Sequence, residues 1–299
     1  MKRWIRWMTY AVVAVGVMAA AAAVVGTTMA DHKMARKLAI NVAAIPLPAD
    51  PARLDRGRYL FETRGCTECH GTDGRGRAFI NDGAFRVIGP QIAPGSHSAV
   101  ASYQVEDWIR TIRHGVAPSG HALMVMPSED YNRMSDDDLG ALIAYLRSMP
   151  SVDGLARVID LPLPVRVLYG VGVIQDAAAK IDHLLPVQVA VPVRSDVAYG
   201  RYVTTMCIGC HGEHLSGGKI PGAPPDWPAA ANLTPGEGSV MPRYAQLEAF
   251  AAMLKSGKRP DGSAIAVMPF DSLSRMDRTE VAAIHAYLGT LVPRTAGNR

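Results

Sequence analysis

The sequence of 299 residues predicts an all-α fold in which two tandem domains follow an N-terminal apolar helix. Three observations support this: apolar residues recur at helical spacing, the second half of the chain repeats the first, and a C-x-x-C-H motif stands near the start of each half. We expect a signal peptide or single transmembrane anchor at residues 1–30, a spacer at 31–52, domains at 53–150 and 194–294, and a linker at 151–193.

The first thirty residues combine a basic start with an uncharged, mostly apolar run from Met8 to Val25. This run is longer than a usual signal-peptide core of about 7 to 15 residues and falls within the roughly 17 to 25 residues that span a bilayer. Thr28-Met29-Ala30 offers a weak small-residue cleavage site. Both a cleaved signal and a retained anchor fit this pattern, and the length favours the anchor.

The charge gives no indication of a nucleic-acid partner. The formal net charge is +4, and Lys2, Arg3 and Arg6 of the leader contribute much of it. No block of Lys and Arg with interleaved aromatic residues occurs in the sequence. We therefore expect no binding to nucleic acid.

The two C-x-x-C-H motifs are Cys66-Thr67-Glu68-Cys69-His70 and Cys207-Ile208-Gly209-Cys210-His211. Two thiols at this spacing can reach the two vinyl groups of one haem, and the adjacent imidazole can then bind the iron. Zinc binding or a disulfide is the alternative, but a zinc site needs further ligands at suitable spacing and the chain has 4 cysteines. We predict two covalently attached haem c groups, with these anchors and proximal ligands: Cys66, Cys69, His70, Cys207, Cys210 and His211.

The first domain should be built from helices on either side of its motif. A short helix over Leu54–Arg64 leads to Cys66, and a second over Gln104–His114 has apolar residues at i, i+3, i+4 and i+7. The last helix begins at the N-cap Ser135 and ends at Pro150. Between Gly71 and Ser102 the glycine-rich sequence predicts irregular chain.

The second half repeats this plan at a constant offset of 142 positions, as 250 − 108 shows for Phe250 and Trp108. The closing helix recurs with Asp277 and Glu280 at its start. A constant offset over some forty positions indicates an internal repeat. The other matched pairs are Gly115 with Gly257, Gly120 with Gly262, Met126 with Met268, and Tyr145 with Tyr287.

A haem held by one His needs a second axial ligand for electron transfer, and Met is the ligand that raises the reduction potential. The chain has 14 methionines, and the repeat selects among them. Met126-Pro127 and Met268-Pro269 fall at matching positions in a loop between two helices, so we predict Met126 and Met268 as the distal ligands. Met134 and Met276 also match, but they immediately precede the closing helices and are interpreted as packing residues.

The histidines outside the motifs do not pair across the repeat. His121 and His97 are the candidates if the first haem has two His ligands. Contact with the haem edges or propionates is a possible role for Trp108, Tyr103, Tyr244 and Arg113, although ordinary packing explains them equally well.

The linker contains an apolar run, Val165–Ile174, that has two interpretations. It could form a helix that docks on a membrane surface or a partner, or it could pack along the two domains. The second interpretation is the more common one for such a segment.

Together, the leader, the two motifs, a Met-Pro loop and a capped final helix in each half give the chain a resemblance to class I c-type cytochromes. The chain looks most like the membrane-associated multihaem subunits that serve periplasmic alcohol, aldehyde and gluconate-type dehydrogenases, although those subunits carry three haem motifs. The resemblance covers residues 53–150 and 195–292. The stretches that carry it are Gly83–Pro94, Met126–Tyr131, Leu139–Leu146 and Asn232–Pro235.

This resemblance implies two all-α domains, each wrapped round one low-spin haem, on the periplasmic side of the bacterial inner membrane. The expected function is electron transfer from a periplasmic or membrane dehydrogenase, or a quinol-oxidising complex, to a downstream cytochrome or oxidase, without catalysis at the metal. A dihaem cytochrome c peroxidase is the enzymatic alternative, but it needs one haem open to peroxide. A cytochrome subunit of a cbb3-type oxidase is the third possibility.

Overall fold

The computed structural model describes residues 2–224 and 226–299. A long N-terminal helix, α1 (Lys2–Ala35), precedes two helical units, each with its own hydrophobic core. The first unit contains α2 (Pro51–Thr63), α3 (Cys66–His70), α4 (Val105–His114), α5 (Ser128–Tyr131) and α6 (Asp136–Ser148). Helix α7 (Leu163–Gly170) lies between the units. The second unit contains α8 (Val197–Thr204), α9 (Ile208–His211), α10 (Leu247–Ser256), α11 (Phe270–Leu273) and α12 (Arg278–Leu288).

The helices begin where the sequence places capping residues. The Asp50 side chain accepts a hydrogen bond from the backbone N–H of Arg53 at the start of α2. Ser135 caps α6 in the same way, and Asp277 caps α12 by accepting from the Glu280 N–H at 2.8 Å. These caps satisfy backbone donors that a helix leaves free in its first turn.

In each unit the first and last helices cross at a glycine. Gly57 of α2 lies against the Ala141 carbonyl of α6, and Gly200 of α8 lies against the Ala283 carbonyl of α12. A Cβ atom at either glycine would overlap the facing backbone. The same close crossing in both halves is structural evidence for the repeat.

The expectation of an all-α fold needs correction in the first unit. Strands β1 (Arg77–Asp82) and β2 (Phe85–Gly89) form an antiparallel hairpin, and β3 (Val158–Asp160) adds to β2 in the order β1-β2-β3. Asp82 pairs with Phe85, so the hairpin turns at Gly83-Ala84, and Gly83 has a positive φ of 54°. A glycine at the first position of a two-residue loop is a common hairpin signal, and it lay in the stretch that we expected to be irregular.

The predicted spacer at 31–52 is not a free tether. Its start continues α1, and its remainder runs along the first unit, where Val42, Ile45 and Leu47 pack against the core. The Leu38 N–H donates to the Gly120 carbonyl, and Arg110 Nε donates to the Ile40 carbonyl. Burial of these apolar side chains explains why the segment binds the unit.

The middle of the predicted linker packs on α1 and the first unit. Ala177 and Ala178 are buried against Gly115, and Asp176 accepts a hydrogen bond from Tyr169 Oη. Near the end of this segment, His183 approaches His114 of α4, with 3.1 Å between their Nδ1 atoms. These residues of the predicted linker therefore pack mainly on the first unit.

The two units meet through a reciprocal set of contacts. Tyr59 Oη accepts from the Asp277 N–H and donates to Glu280 at the start of α12. Tyr202 Oη accepts from the Ser135 N–H and donates to Asp138 at the start of α6. Each tyrosine thus binds the closing helix of the other unit, as equivalent residues do across a two-fold interface.

A buried ion pair lies at the centre of this interface. Arg64 makes a bidentate contact with Glu280, with nitrogen–oxygen distances of 2.6 and 2.8 Å, and both side chains are buried. Tyr59 and Tyr199 also donate to the Glu280 carboxylate. Burial alone would raise the pKa of Glu280, but the positive charge of Arg64 and these hydrogen bonds hold that pKa at about 2.

Candidate haem sites

Both C-x-x-C-H motifs form a short helical turn at the junction of the two units. In the first, α3 begins after Gly65, whose φ of 80° turns the chain sharply from α2. Cys66, Cys69, Cys207 and Cys210 are free thiols. Within residues 2–224 and 226–299, no three His, Cys, Asp or Glu side chains are grouped as ligands of a metal ion. The thiols are thus available for covalent attachment.

The motif histidines are held in the same way in both units. His70 Nδ1 lies 2.8 Å from the Pro90 carbonyl oxygen, and His211 Nδ1 lies 2.9 Å from the Ala231 carbonyl oxygen. A carbonyl only accepts hydrogen bonds, so each Nδ1 carries the proton and each Nε2 keeps its lone pair. A backbone carbonyl behind the ring is the usual way to orient a metal-binding imidazole.

Burial also keeps both imidazoles neutral. It lowers the pKa of His70, against the opposing effect of the Pro90 carbonyl, and it lowers the pKa of His211 in the same way. A neutral imidazole is the form that binds iron. Burial raises the pKa of the Cys66 and Cys207 thiols, to about 12 in each case. Both thiols are therefore protonated and carry no charge.

A buried amide side chain next to each carbonyl fixes the loop that holds the histidine. Gln91 Nε2 donates to the Val152 carbonyl at 2.8 Å, and Asn232 Nδ2 donates to the Arg294 carbonyl at 2.8 Å. Both amides tie the loop after the motif to the chain that follows the closing helix. Gln91 and Asn232 lie inside stretches that support the family resemblance, but sequence alone gave them no role.

A large apolar cavity of about 960 Å³ opens beside the first motif. Cys66, Cys69 and His70 lie on its wall, together with Trp108 and Met126. Residues from far along the chain complete it: Met34 of α1, Arg157 and Ile159 near β3, and Arg166 and Tyr169 of α7. An apolar slot of this size beside two thiols and an imidazole fits a flat porphyrin.

One unsatisfied polar group supports that fit. Among the described residues, Arg166 Nε is buried without a hydrogen-bond partner, and Arg166 lines the cavity. A second guanidinium, Arg157, lies on the same wall. Haem carries two carboxylates, and a guanidinium is a preferred partner of a carboxylate. The first cavity therefore has both the apolar and the charged surfaces that a haem requires.

The two predicted distal methionines lie in identical turns. The Ser128 N–H donates to the Met126 carbonyl across Pro127 at 2.9 Å, and the Phe270 N–H donates to the Met268 carbonyl across Pro269 at 2.8 Å. The proline dihedrals, −81° and 63° in one turn and −77° and 65° in the other, define an inverse γ-turn. The repeat therefore extends to the backbone at both sites.

The surroundings of the two methionines differ. Met126 lines the first cavity, where His121 and Met124 lie on the wall as well. His97 is exposed. Met268 packs at the edge of the second core. His121 therefore remains a stereochemical alternative for the first site, whereas its repeat partner Ser263 has no ligand side chain.

The aromatic residues predicted to contact a haem pack in edge-to-face pairs. Tyr103 and Trp108 line the first cavity and meet edge to face, with ring centroids 5.5 Å apart. Tyr244 and Phe250 form the matching edge-to-face pair in the second core. Arg113 instead binds the Met134 carbonyl and Asp136. The structure thus gives Arg113 a structural contact within the first unit.

Sequence reasoning missed the cavity residues that lie outside the repeat. Met34, Arg157, Arg166 and Tyr169 come from α1 and the linker, and nothing local in the sequence connects them with the first motif. The carbonyls of Pro90 and Ala231 belong to the backbone, so the identity of a side chain could not predict their role. Folding of the leader and the linker back onto the first unit brings these groups to the site.

The first unit matches a known protein family. Residues 54–150 match the cytochrome c family. The fructose dehydrogenase cytochrome subunit of Gluconobacter japonicus is 30% identical over 152 residues, which are 46% of this chain and 31% of that protein. The gluconate 2-dehydrogenase cytochrome c subunit of Pantoea cypripedii is 26% identical over 281 residues, which are 83% of this chain and 62% of that protein.

A CcoP subunit of the cbb3-type cytochrome c oxidase of Helicobacter pylori (strain 52) is 29% identical over 133 residues, 41% of this chain and 38% of the subunit. The chain thus spans less than two thirds of each of these relatives. Most of the relatives that we cite are named as cytochrome subunits of dehydrogenases. Residues 54–150 are therefore similar to the cytochrome c family, and the chain resembles the cytochrome c subunits of dehydrogenases.

Proposed function

We propose that the chain is a dihaem cytochrome c and an electron-transfer subunit without catalysis of its own. Its two domains are residues 53–150 and 194–294, each with one covalent haem c. Electrons pass between a periplasmic or membrane dehydrogenase, or a quinol-oxidising complex, and a downstream cytochrome or oxidase. The observation that carries the proposal is the repetition of the His–carbonyl contact, the amide clamp and the Met-Pro turn in both units.

The chain's own residues have distinct roles in this proposal. A haem supplies iron that gains or loses one electron. The Cys66–Cys69 and Cys207–Cys210 pairs would hold a haem covalently, and His70 and His211 would each offer a neutral Nε2 to its iron. Met126 and Met268 would each supply a second ligand to the iron and keep water away from it. Buried aromatic rings keep the surroundings apolar, which favours a small reorganisation when the charge changes.

The same proposal places the chain on the periplasmic side of the inner membrane, anchored by α1. Residues Arg3–Ala35 form a helix that is long and apolar enough to span a bilayer, and none of its most apolar window is buried. Ala30, at the possible cleavage site, is fully buried against the rest of the protein. The packing of Ala30 makes the end of α1 a structural part of the folded protein, which supports a retained anchor.

The dehydrogenase relatives support a dehydrogenase as the donor, because a match over 281 residues is to a gluconate 2-dehydrogenase subunit. The CcoP match favours a second candidate, a cytochrome subunit of a cbb3-type oxidase. Purification of the anchored protein with its neighbours distinguishes the two: co-purification with a dehydrogenase catalytic subunit supports the first, and co-purification with an oxidase core supports the second.

The visible spectrum of the reduced protein, before and after addition of carbon monoxide, tests the electron-transfer role. Two closed sites predict a spectrum of low-spin haem c that carbon monoxide leaves unchanged. A carbon monoxide adduct on one haem would show an open iron position, and the peroxidase-type alternative would then replace this proposal.

A further inference from the structure

The segment between the two units presents apolar side chains to solvent beside the N-terminal helix. Leu163, at the start of α7, is 55% exposed, and Leu168, in its last turn, is 40% exposed. Val171 and Val173, in the turn that follows, are 53% and 59% exposed. The N–H of Val173 donates to the Leu168 carbonyl, so this turn folds back on α7 and keeps the four side chains in one compact segment. We call residues 163–173 the apolar collar.

The collar is attached firmly to α1. Ala23, Gly26, Thr27 and Ala30 form the face of α1 that is at least partly buried, at i, i+3, i+4 and i+7 spacing. A Cβ atom on Gly26 would lie 2.8 Å from Val167 Cγ1, and Gly170 lies against the Gly26 carbonyl. Small residues at such a crossing allow close backbone contact, as in helix pairs within membranes.

Polar contacts at the next turn of α1 fix the orientation of the collar. Lys33 Nζ donates to the Tyr169 carbonyl at 3.0 Å, and Arg166 pairs with Asp31. Arg36 lies 3.6 Å from the buried Asp176. Asp31 and Lys33 lie in the last turns of α1 and Arg36 follows its end, so the collar meets the chain where its sequence changes from apolar to charged.

That position corresponds to the surface of a bilayer. The uncharged run Met8–Val25 would cover about 27 Å at 1.5 Å per residue, close to the roughly 30 Å of a hydrocarbon core. Trp4, Trp7 and Tyr10 lie near its other end, where aromatic residues favour the opposite interface. Gly26, which contacts the collar, immediately follows the run and so lies at the boundary on the side of the two units.

We propose that the apolar collar inserts into the lipid of the periplasmic leaflet and is a second membrane contact beside α1. The inference rests on the proposed retention of α1 as an anchor and goes beyond it. The occupant is lipid, because the exposed side chains are aliphatic, carry no charge and continue the apolar surface of the span. Insertion would remove these four side chains from water, which stabilises the attachment in proportion to the apolar area covered.

The collar would also place the first haem cavity at the membrane surface. Arg166 and Tyr169 of α7 line this cavity, together with Met34 of α1. One short helix thus contributes to the cavity wall and to the lipid contact. The first site would lie next to the bilayer, whereas the C-terminal tail closes the second unit.

Photolabelling of the full-length protein in lipid nanodiscs tests the proposal. A lipid-soluble diazirine is activated by light, and the labelled residues are mapped by mass spectrometry. Residues 163–173 should be labelled severalfold more than residues 184–193, where Leu184 and Val189 are 92% and 84% exposed outside the collar. The double variant Leu168→Glu, Val171→Glu should lose this labelling, whereas Leu184→Glu with Val189→Glu should leave it unchanged.

Two results would overturn the proposal, and they differ in what they mean for the anchor. Strong labelling of α1 with no excess in residues 163–173 would retain the anchor and remove the lipid contact; the collar would then be a face for a protein partner. No labelling of either segment, with a mature chain that begins near Asp31, would remove the anchor and the collar together.

Discussion

The two halves of the molecule share one internal frame but are closed by different parts of the chain. In both, the segment after the closing helix returns to the motif loop: the Leu155 N–H donates to the Arg75 carbonyl, and the Gly297 N–H donates to the Ser216 carbonyl. The first unit is then covered by the β-sheet, α7 and the end of α1. The second is covered by the C-terminal tail, where Arg299 donates to the Cys210 carbonyl.

The internal frame is the same in both units, whereas the segments that cover each unit differ. The conserved parts orient the motif histidine and the Met-Pro turn. The covers, in contrast, decide what each site faces: α7 and the end of α1 for the first unit, and the C-terminal tail for the second. A duplicated domain can in this way present two similar redox centres to different surroundings.

Removal of the thiol pair of each motif is expected to have the largest effect. Cys66→Ala with Cys69→Ala should lose one haem and destabilise the first unit, because the large cavity of about 960 Å³ would lose its filling. Cys207→Ala with Cys210→Ala should lose the other haem and affect the second unit. Haem content and thermal unfolding measure both effects. Retention of two haems in either variant would contradict the assignment of the anchors.

The second prediction concerns the buried ion pair at the interface between the units. Glu280 is fully buried with Arg64, so Glu280→Gln should leave a buried guanidinium without its charge partner and lower the unfolding free energy by about 3–5 kcal/mol. As a control, Asp137→Asn removes the exposed ion pair with Arg53 and should cost about 0–1 kcal/mol. Denaturant titration measures both. Equal losses would show that the buried pair does not join the units.

The acid limit of stability tests the same carboxylate. The pKa of Glu280 is held at about 2, below its ordinary value of 4.5, so the folded protein binds this proton less readily than the unfolded chain. The contribution is complete above pH 4.5 and is lost as the pH falls towards 2. Unfolding curves recorded between these values should show a smaller pH dependence for Glu280→Gln. An unchanged slope would contradict the pKa assignment.

Replacement of the distal methionines tests the two sites separately and is expected to have the mildest effect on the fold. Met126→His and Met268→His should each lower one reduction potential, by a part of the roughly 0.8 V range over which axial ligands set it. Both haems should remain attached. Redox titration followed by visible spectroscopy measures the change. If Met126→His leaves both potentials unchanged while His121→Ala shifts one, His121 is the ligand of the first site.

Local sequence signals predicted much of this arrangement. The motif spacing, the capping residues Ser135 and Asp277, and the constant offset located most of the helices and both Met-Pro turns. These features depend on residues that are close in sequence or repeated. The Gly83-Ala84 turn was also a local signal, but the surrounding glycines suggested irregular chain and the hairpin was missed.

The covers of the first site could not be predicted in this way. Arg166 and Tyr169 reach the cavity only because α7 packs on α1. Lys33 and Tyr169, which form one of these contacts, are 136 positions apart in the sequence. The reciprocal tyrosines Tyr59 and Tyr202 occupy ordinary positions on amphipathic helices. Their roles depend on how the two units pack together, for which a single sequence gives no signal.

The number of covalent haems per chain is the most direct test of the proposed duplication of function. Intact-mass spectrometry of the full chain, followed by mapping of the attached peptides, counts and locates them. Our account predicts two haems, one on the Cys66–His70 peptide and one on the Cys207–His211 peptide. One haem on the first peptide alone, with free thiols at Cys207 and Cys210, would contradict it.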